Sequence, residues 1–413
     1  MNMPLLNIIR NSISRLSWKY LRKPLYISTI PMRVKHIRKK ERIKVLFAIA
    51  DLGTWKTENL YKEMLSHQRF DVYLLLLPSL EDPSSYDQLK KYLETKSYIY
   101  YTLKDKETIQ KRFSPDIIFY QKPYGREINI KYFYIKNLRS LFCFVNYAFH
   151  SINDKWACNC TLHNLAWQVY YENDLCWKEL IPYNDIKGKN SVVTGLPITD
   201  QFIKFNYKTN PWKKQSLNKK RIIWAPHHSI PEFNSWISYS TFTNYYKFML
   251  ILADKYADQI QIAFKPHPLL KNRLLTIWDE EKIDAYYHEW EIRENTQLEL
   301  GEYISLFMNS DALIHDCSSF TIEYHYTKNP VLYLEKDIHH QDNLNSFAHK
   351  AYELHYKGHC EKDIEQFILN VINNEDPLKE KRIDYYNNFL MPPNGKSACE
   401  NIIDAILGNN PYN

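Results

Sequence analysis

Residues 310–334 read SDALIHDCSSFTIEYHYTKNPVLYL. The run at 312–315 is apolar, too short for a helix, and fits a buried strand. A small polar stretch, Asp316-Cys317-Ser318-Ser319, follows it. A helical pattern over 320–327 then carries Glu323, and a second apolar run at 331–334 comes after Pro330. Short apolar runs separated by helical patterns predict a parallel sheet buried on both faces.

The same alternation continues in both directions. Upstream, strands are expected at 43–50 (IKVLFAIA), 70–77 (FDVYLLLL), 116–121 (DIIFYQ), 141–146 (LFCFVN), 166–171 and 191–194, with a helix at 55–67. A stretch rich in Lys and Asn interrupts the pattern. It then restarts with strands at 222–225 and 260–265 and helices at 242–256 and 303–309. Helices at 364–372 and 398–407 close the chain. The expected divisions are a basic arm at 1–42, a first α/β domain at 43–200, a linker at 201–220, a second α/β domain at 221–395 and a terminal helix at 396–413. A chain of 413 residues exceeds one ordinary core, which agrees with two domains. In open α/β sheets ligands bind outside the carboxyl ends of the strands, so a cleft lined by strand-end residues is expected.

Composition narrows the chemistry. Hydrophobic residues make up 45% and charged residues 24%, values of a globular chain. Only 8 glycines occur, and neither GxGxxG nor GxxxxGK[ST] is present. That weighs against a dinucleotide-binding dehydrogenase and a P-loop NTPase. The seven cysteines are odd in number and irregularly spaced, which predicts reduced thiols in a cytosolic protein. No signal-peptide order and no apolar stretch of about 20 residues is found. The net charge of +7 is concentrated ahead of Lys44, where Glu41 is the only acid. Leu5, Leu6, Ile8, Ile9, Ile13, Leu16, Trp18, Tyr20 and Leu21 are interleaved with those bases. Attachment to an anionic membrane surface is the expectation for this arm. A basic helix packed on its own protein is the competing reading. Nucleic acid is not an expected partner, since no reading module continues the basic segment.

Four strand ends carry the polar chemistry. After 222–225 comes Pro226-His227-His228-Ser229, and after 260–264 comes Lys265-Pro266-His267-Pro268 with Lys271 and Arg273 beyond. After 312–314 comes His315-Asp316-Cys317-Ser318-Ser319, and after 141–145 comes Asn146-Tyr147-Ala148-Phe149-His150-Ser151. Free backbone N–H groups, Ser hydroxyls and a helix dipole at Ser318-Ser319 suit a phosphate. Ordinary helix capping by Asp316, Ser318 or Ser319 is the alternative. Lys265, His267, Lys271 and Arg273 add positive charge on a loop stiffened by prolines, and His267 is placed to assist a leaving phosphate. His227 and His228 are read as substrate contacts with Ser229. Adjacent histidines seldom share one metal, and no Asp-x-Asp is present, so no metal is expected. His150 is the candidate base on the acceptor side.

The segments IIWAPHHSI, AFKPHPLL and SDALIHDCSSFTIEYHYTKNPVLYL, in this order, resemble the nucleotide-binding half of the CDP-glycerol glycerophosphotransferases. That family includes teichoic acid and capsule polymer enzymes. The resemblance implies a GT-B-like fold of two Rossmann-like domains facing across a cleft. It implies attack of an acceptor hydroxyl on the β-phosphorus of CDP-glycerol, or of another CDP-alditol such as CDP-ribitol, with CMP leaving. It makes His267 the diphosphate-contacting histidine, Ser318 and Ser319 the phosphate-holding serines, and Asp316 the aspartate of the same stretch. Lys265, Lys271, Arg273 and Glu323 are assigned to the donor side. The donor is a substrate and no cofactor is implied. The acceptor is a surface polysaccharide or a lipid-linked precursor, met by a cytoplasmic enzyme at the inner membrane face. A GT-B glycosyltransferase using a nucleotide sugar is the alternative activity. An inactive binding protein that keeps the fold is the third reading.

Overall fold

The computed structural model describes residues 18–78, 84–104, 107–120, 122–123, 136–230, 239–317, 320–336 and 344–409. They form two units, each built on a six-stranded parallel sheet. The first unit takes in the chain up to Ala148, then Asp154–Ile198 and Pro392 onward. The second takes in Phe149–Asn153 and Thr199–Met391.

The first sheet contains β1 (Ile43–Ile49), β2 (Phe70–Leu76), β3 (Ile117–Tyr120), β4 (Leu141–Val145), β5 (Gln168–Tyr171) and β6 (Ser191–Val193). Their order is β2-β1-β3-β4-β5-β6. β3, β4 and β5 are buried at every position, as strands covered on both faces must be. The second sheet contains β7 (Lys220–Ala225), β8 (Ile260–Phe264), β9 (Thr296–Leu298), β10 (Ala312–His315), β11 (Val331–Leu334) and β12 (Tyr356–Gly358). Their order is β12-β11-β10-β7-β8-β9. This is a doubly wound sheet whose strand order reverses between β7 and β10, where ligands of such sheets bind.

An aromatic stack fills the second core. Trp224 on β7 is fully buried and lies 5.7 Å from Phe242, 5.0 Å from Phe264 and 5.6 Å from Trp290, measured between ring centroids. Burial of so large a side chain contributes several kcal/mol, since Trp truncation in a core costs ~3–5 kcal/mol. The stack fixes β7 and β8 beneath the loops that follow them.

Two short strands, β9 and β12, and the helix Glu280–Ile292 add to the expected elements. The helix expected over 320–327 is helical over Phe320–Glu323 and tightens to a 3-10 turn over Tyr324–Thr327. Lys328 then turns left-handed, with φ 62°, ahead of Pro330.

The division of the chain differs from the expected one at three places. The terminal helix Ala398–Leu407 belongs to the first unit, where Asn401 Nδ2 donates to Thr194 O at 3.3 Å. The segment expected as a linker lies within the second unit, which starts again at Thr199. Phe149–Asn153, carrying His150, also counts with the second unit.

The described part of the basic arm runs from a π-helical turn, Trp18–Arg22, into the helix Lys23–Arg38. It packs on the first unit through Tyr26 and Ile37. Tyr26 stacks on Phe142 at 5.2 Å and donates to Ser140 O at 3.2 Å. Arg33 donates to Leu138 O. Among the described residues no helix is long and apolar enough to cross a membrane. All seven cysteines are free.

Gly408 ends the terminal helix in a left-handed conformation, φ 87°. A Cβ there would sit 2.9 Å from the Arg38 guanidinium carbon. Arg38 itself caps that helix, donating to Ala405 O at 3.1 Å and Ile406 O at 3.2 Å. Gly408→Ala is therefore expected to destabilise the protein by about 1–3 kcal/mol, through strain and displacement of Arg38. Urea unfolding measures this, and an unchanged midpoint would contradict the contact.

Candidate functional site

The parallel register brings three of the four predicted strand ends side by side. Ala225 pairs with His315, and Trp224 pairs with Phe264. The loops after β7, β8 and β10 therefore emerge together, at the point where the strand order reverses.

The loops are fastened to one another. His267 N–H donates to Pro226 O at 3.1 Å. Asp316, fully buried, accepts from His227 N–H at 2.6 Å through Oδ1. Its Oδ2 accepts from Thr241 N–H at 2.6 Å and from the Thr241 hydroxyl at 2.8 Å. Burial raises the Asp316 carboxyl to about 6, while these donors pull it back down. Both Asp316 oxygens are thus occupied within the protein, so this residue braces the loops. Thr241, the residue preceding the helix Phe242–Lys255, was not among the predicted site residues. Its position just before an apolar helical pattern was the available signal.

The fastened loops gather three imidazoles. The rings of His227 and His228 are 4.1 Å apart, those of His228 and His267 4.1 Å, and those of His227 and His267 5.2 Å. One ring nitrogen from each lies within 4.8 Å of the others. The hydrogen-bond pattern assigns two tautomers. The Ser229 hydroxyl oxygen accepts from Tyr239 N–H at 2.8 Å and Ser240 N–H at 3.3 Å, so its own proton faces His227 Nδ1 at 2.8 Å. Ser229 N–H also points at that nitrogen, at 3.2 Å. Leu269 N–H donates to His267 Nδ1 at 3.1 Å. In both neutral histidines the proton is therefore on Nε2.

This arrangement bears on what the cluster holds. A metal-bound histidine offers one nitrogen lone pair and donates its other N–H to an acceptor. Metal binding at Nε2 of His227 or His267 would set an N–H at Nδ1 against a backbone N–H. The surroundings of both residues fit hydrogen-bond donors toward an anion. His228 Nδ1 is buried without a hydrogen-bond partner among the described residues.

Electrostatics favours neutral rings at His267 and His228 in the ligand-free protein. Burial, then His228 and Lys265, lower His267 to about 3. Burial, then Arg273, lower His228. Arg273, on the helix Leu270–Leu274, is thus close enough to add positive charge to the cluster.

The remaining predicted residues occupy other positions. Lys265 is buried, and its ammonium donates to Gly301 O at 2.8 Å and Glu299 O at 3.4 Å. Lys271 is exposed and pairs with Asp284 at 2.6 Å. Glu323 is buried and hydrogen-bonds Tyr303. His150 is buried, is not part of the three-histidine cluster, and its carbonyl accepts from Asn345 Nδ2 at 2.8 Å. An antiparallel bridge, Ile152 to Leu344, anchors its segment. Ser318 and Ser319 lie outside the described residues.

With this geometry in place, the comparisons with known proteins decide the family. The description CDP-Glycerol:Poly(glycerophosphate) glycerophosphotransferase matches residues 177–408, a span that holds the whole histidine cluster. The chain belongs to this family. No curated protein matches it. Among solved structures, the wall teichoic acid polymerase TagF is similar with a TM-score of 0.62 at 15% identity, covering 98% of each chain. A UDP-GlcNAc 2-epimerase from Neisseria meningitidis, bound to UDP-GlcNAc, has a TM-score of 0.56 at 15% identity, covering 89% of this chain and 100% of its own. A putative UDP-N-acetylglucosamine 2-epimerase from Listeria monocytogenes has a TM-score of 0.57 at 14% identity, covering 91% and 98%. At these identities the structures attest the fold, a GT-B-like pair of parallel-sheet domains. This member of the glycerophosphotransferase family carries the cluster at the carboxyl ends of β7 and β8.

Behind the site, three more histidines are fully buried in the same unit. His315 and His325 are each lowered to about 3, and His355 well below its ordinary value, all chiefly by burial. The nearby positive charges of Arg382 and Lys357 lower His325 further. A histidine kept neutral in the fold takes up a proton on unfolding once the pH falls below about 6.5. Stability is therefore complete above that value and declines on acidification, by up to ~1.4 kcal/mol per pH unit for each such group. Asp316, raised to about 6, opposes the decline between about 4 and 6 as a single group. The urea midpoint is expected to be clearly lower at pH 5 than at pH 7.5. Equal midpoints would contradict neutral buried imidazoles.

Proposed function

We propose that the protein transfers glycerol phosphate, or a related alditol phosphate such as ribitol phosphate, from a CDP-activated donor to a hydroxyl of a surface polysaccharide or lipid-linked precursor. The observation that carries this reading is the pair of Nε2–H donors, on His227 and His267, beside Arg273 at the strand-order reversal. These groups suit the diphosphate of the donor. The acceptor oxygen forms a bond to the β-phosphorus as the bond from that phosphorus to the CMP oxygen breaks. His267 donates to the departing phosphate, and Ser318 and Ser319 are assigned to hold phosphate oxygens. His150 is the proposed base for the acceptor proton. No metal enters this scheme, because imidazole N–H groups and a guanidinium supply the compensation. The family match disfavours a nucleotide-sugar glycosyltransferase.

The exposed side of the arm, with residues 1–17 ahead of it, is proposed to rest on an anionic membrane at the cytoplasmic face, with no nucleic-acid partner. Leu21, Leu25 and Met32 are exposed on the helix and its leading turn.

Purified protein incubated with CDP-glycerol, CDP-ribitol or UDP-glucose, an acceptor preparation and EDTA is expected to release CMP from a CDP-alditol. UDP release alone would overturn the reading. His267→Ala, with its near-ultraviolet dichroism intact, is expected to lose about 10²–10³-fold in transfer, as for other removed oxyanion donors. Full activity in that variant would sink the mechanism.

A diphosphate placed against the cluster favours the imidazolium form of His228, which burial disfavours and whose Nδ1 no backbone N–H among the described residues faces. Donor binding should therefore take up protons, and CDP affinity should rise as the pH falls from 7.5 to 6. Titration calorimetry in buffers of different ionisation enthalpy measures that uptake, and a zero value would refute the coupling.

A further inference from the structure

A basic groove lies in the first unit, at the opposite end of its sheet from the strand ends that bear ligands in such folds. The helix Lys23–Arg38 lies over the residues that precede and begin β5, and a cavity of about 600 Å³ opens between them. Ile30, Val34 and Trp167 provide apolar walls, and Lys35, Arg38 and Lys39 bring three cations to the same space. None of these cations has a carboxylate partner among the described residues. Arg38 is held in place by the carbonyls of Ala405 and Ile406, and its guanidinium lies 5.9 Å from the Trp167 ring centroid. Burial lowers its pKa, the cost of keeping a cation partly out of water without an anion.

The chemistry beside the cavity indicates the kind of anion. Leu25 and Met32 on the helix, and Leu21 one turn ahead, are 61%, 67% and 64% exposed. Spacings of four and seven put all three on one helical face. Lys35 and Lys39, which border the cavity, adjoin that face. An exposed apolar line next to a basic, apolar-walled groove matches an amphiphile whose head is anionic.

We infer that this groove binds the phosphodiester headgroup of an anionic phospholipid, with its acyl chains toward Leu21, Leu25 and Met32. The inference rests on the proposed membrane attachment and names the contact that makes it selective.

The test uses the full-length chain. Dihexanoyl-phosphatidylglycerol, titrated below its micelle concentration, is expected to bind saturably. Glycerol 3-phosphate, a headgroup without tails, is expected to bind at least about tenfold more weakly, since each buried methylene adds to binding. Lys35→Gln/Lys39→Gln should weaken the lipid about tenfold or more. Val34→Trp, which fills the groove without changing charge, should do the same. Lys379→Gln/Lys381→Gln, an equal loss of charge on the second unit, should leave binding unchanged. Absent binding by the parent protein, equal binding of glycerol 3-phosphate, or binding untouched by both groove variants would each overturn the inference. Sedimentation with phosphatidylcholine vesicles, with and without phosphatidylglycerol, separates the two claims. If the groove variants still follow phosphatidylglycerol, membrane attachment stands and the groove does not. CMP release with a soluble acceptor should be the same in all variants.

Discussion

The carboxylate of Asp316 is the point from which the site is organised. It sits after β10 with no exposure to solvent and collects three hydrogen bonds, one from the loop after β7 and two from Thr241. A buried carboxylate is costly unless its oxygens are satisfied, so the segments that satisfy it are held in turn. His227 is positioned through its own backbone N–H. His267 is tied to the same assembly through Pro226 O. Two imidazoles are thereby oriented before any ligand arrives, and little ordering is left for binding to supply.

That pre-organisation leaves three rings close together and partly out of water, next to Arg273. Burial first, and then like charges at this distance, depress His267 and His228. The same depression makes the cluster responsive. On the proposed reading, the neutral Nε2–H rings of His227 and His267 donate to the anion, and the diphosphate shifts His228 toward its charged form. A site of this kind gains positive charge when negative charge enters it, without keeping that charge buried beforehand.

Much of this was legible in the sequence, and the failures have physical reasons. Ten strands were readable as largely apolar runs, most of them buried on both faces. β9 (TQL) and β12 (YKG) were not, because they are three-residue edge strands with polar members. The helix Glu280–Ile292 carried its signals: Asp279 as cap, Glu280 and Glu281 in the first turn, and Ile283, Tyr286, Tyr287 and Trp290 on the buried side. Those tyrosines blurred the apolar stripe. The terminal helix was readable as a helix, but its return to the first unit depends on contacts more than two hundred residues away, such as Asn401 with Thr194. The strand-end loops were identifiable, whereas the brace was not. Asp316 ahead of two serines reads as an ordinary cap, and its true partners lie 75 and 89 residues distant. Lys265 and Lys271 were placed on the donor side by their strand-end loop and by the family resemblance. The sequence does not reveal that carbonyls engage the first and Asp284 the second.

The scarcity of glycine ties these observations together. A phosphate cradle made of backbone N–H groups needs a main chain free to approach the anion closely, which is the role of glycine. This chain has 8 glycines in 413 residues, and none in the described loops after β7, β8 or β10. Proline flanks His267 on both sides instead. On the proposed reading, a stiff loop that keeps its backbone back reaches the phosphates with side chains. Imidazole and guanidinium supply planar N–H donors at that longer reach. The substitution has a consequence that a backbone cradle would not have. Amide N–H groups do not titrate near neutrality, whereas imidazoles do, so on the proposed reading phosphate recognition by this cluster responds to pH as a backbone cradle would not.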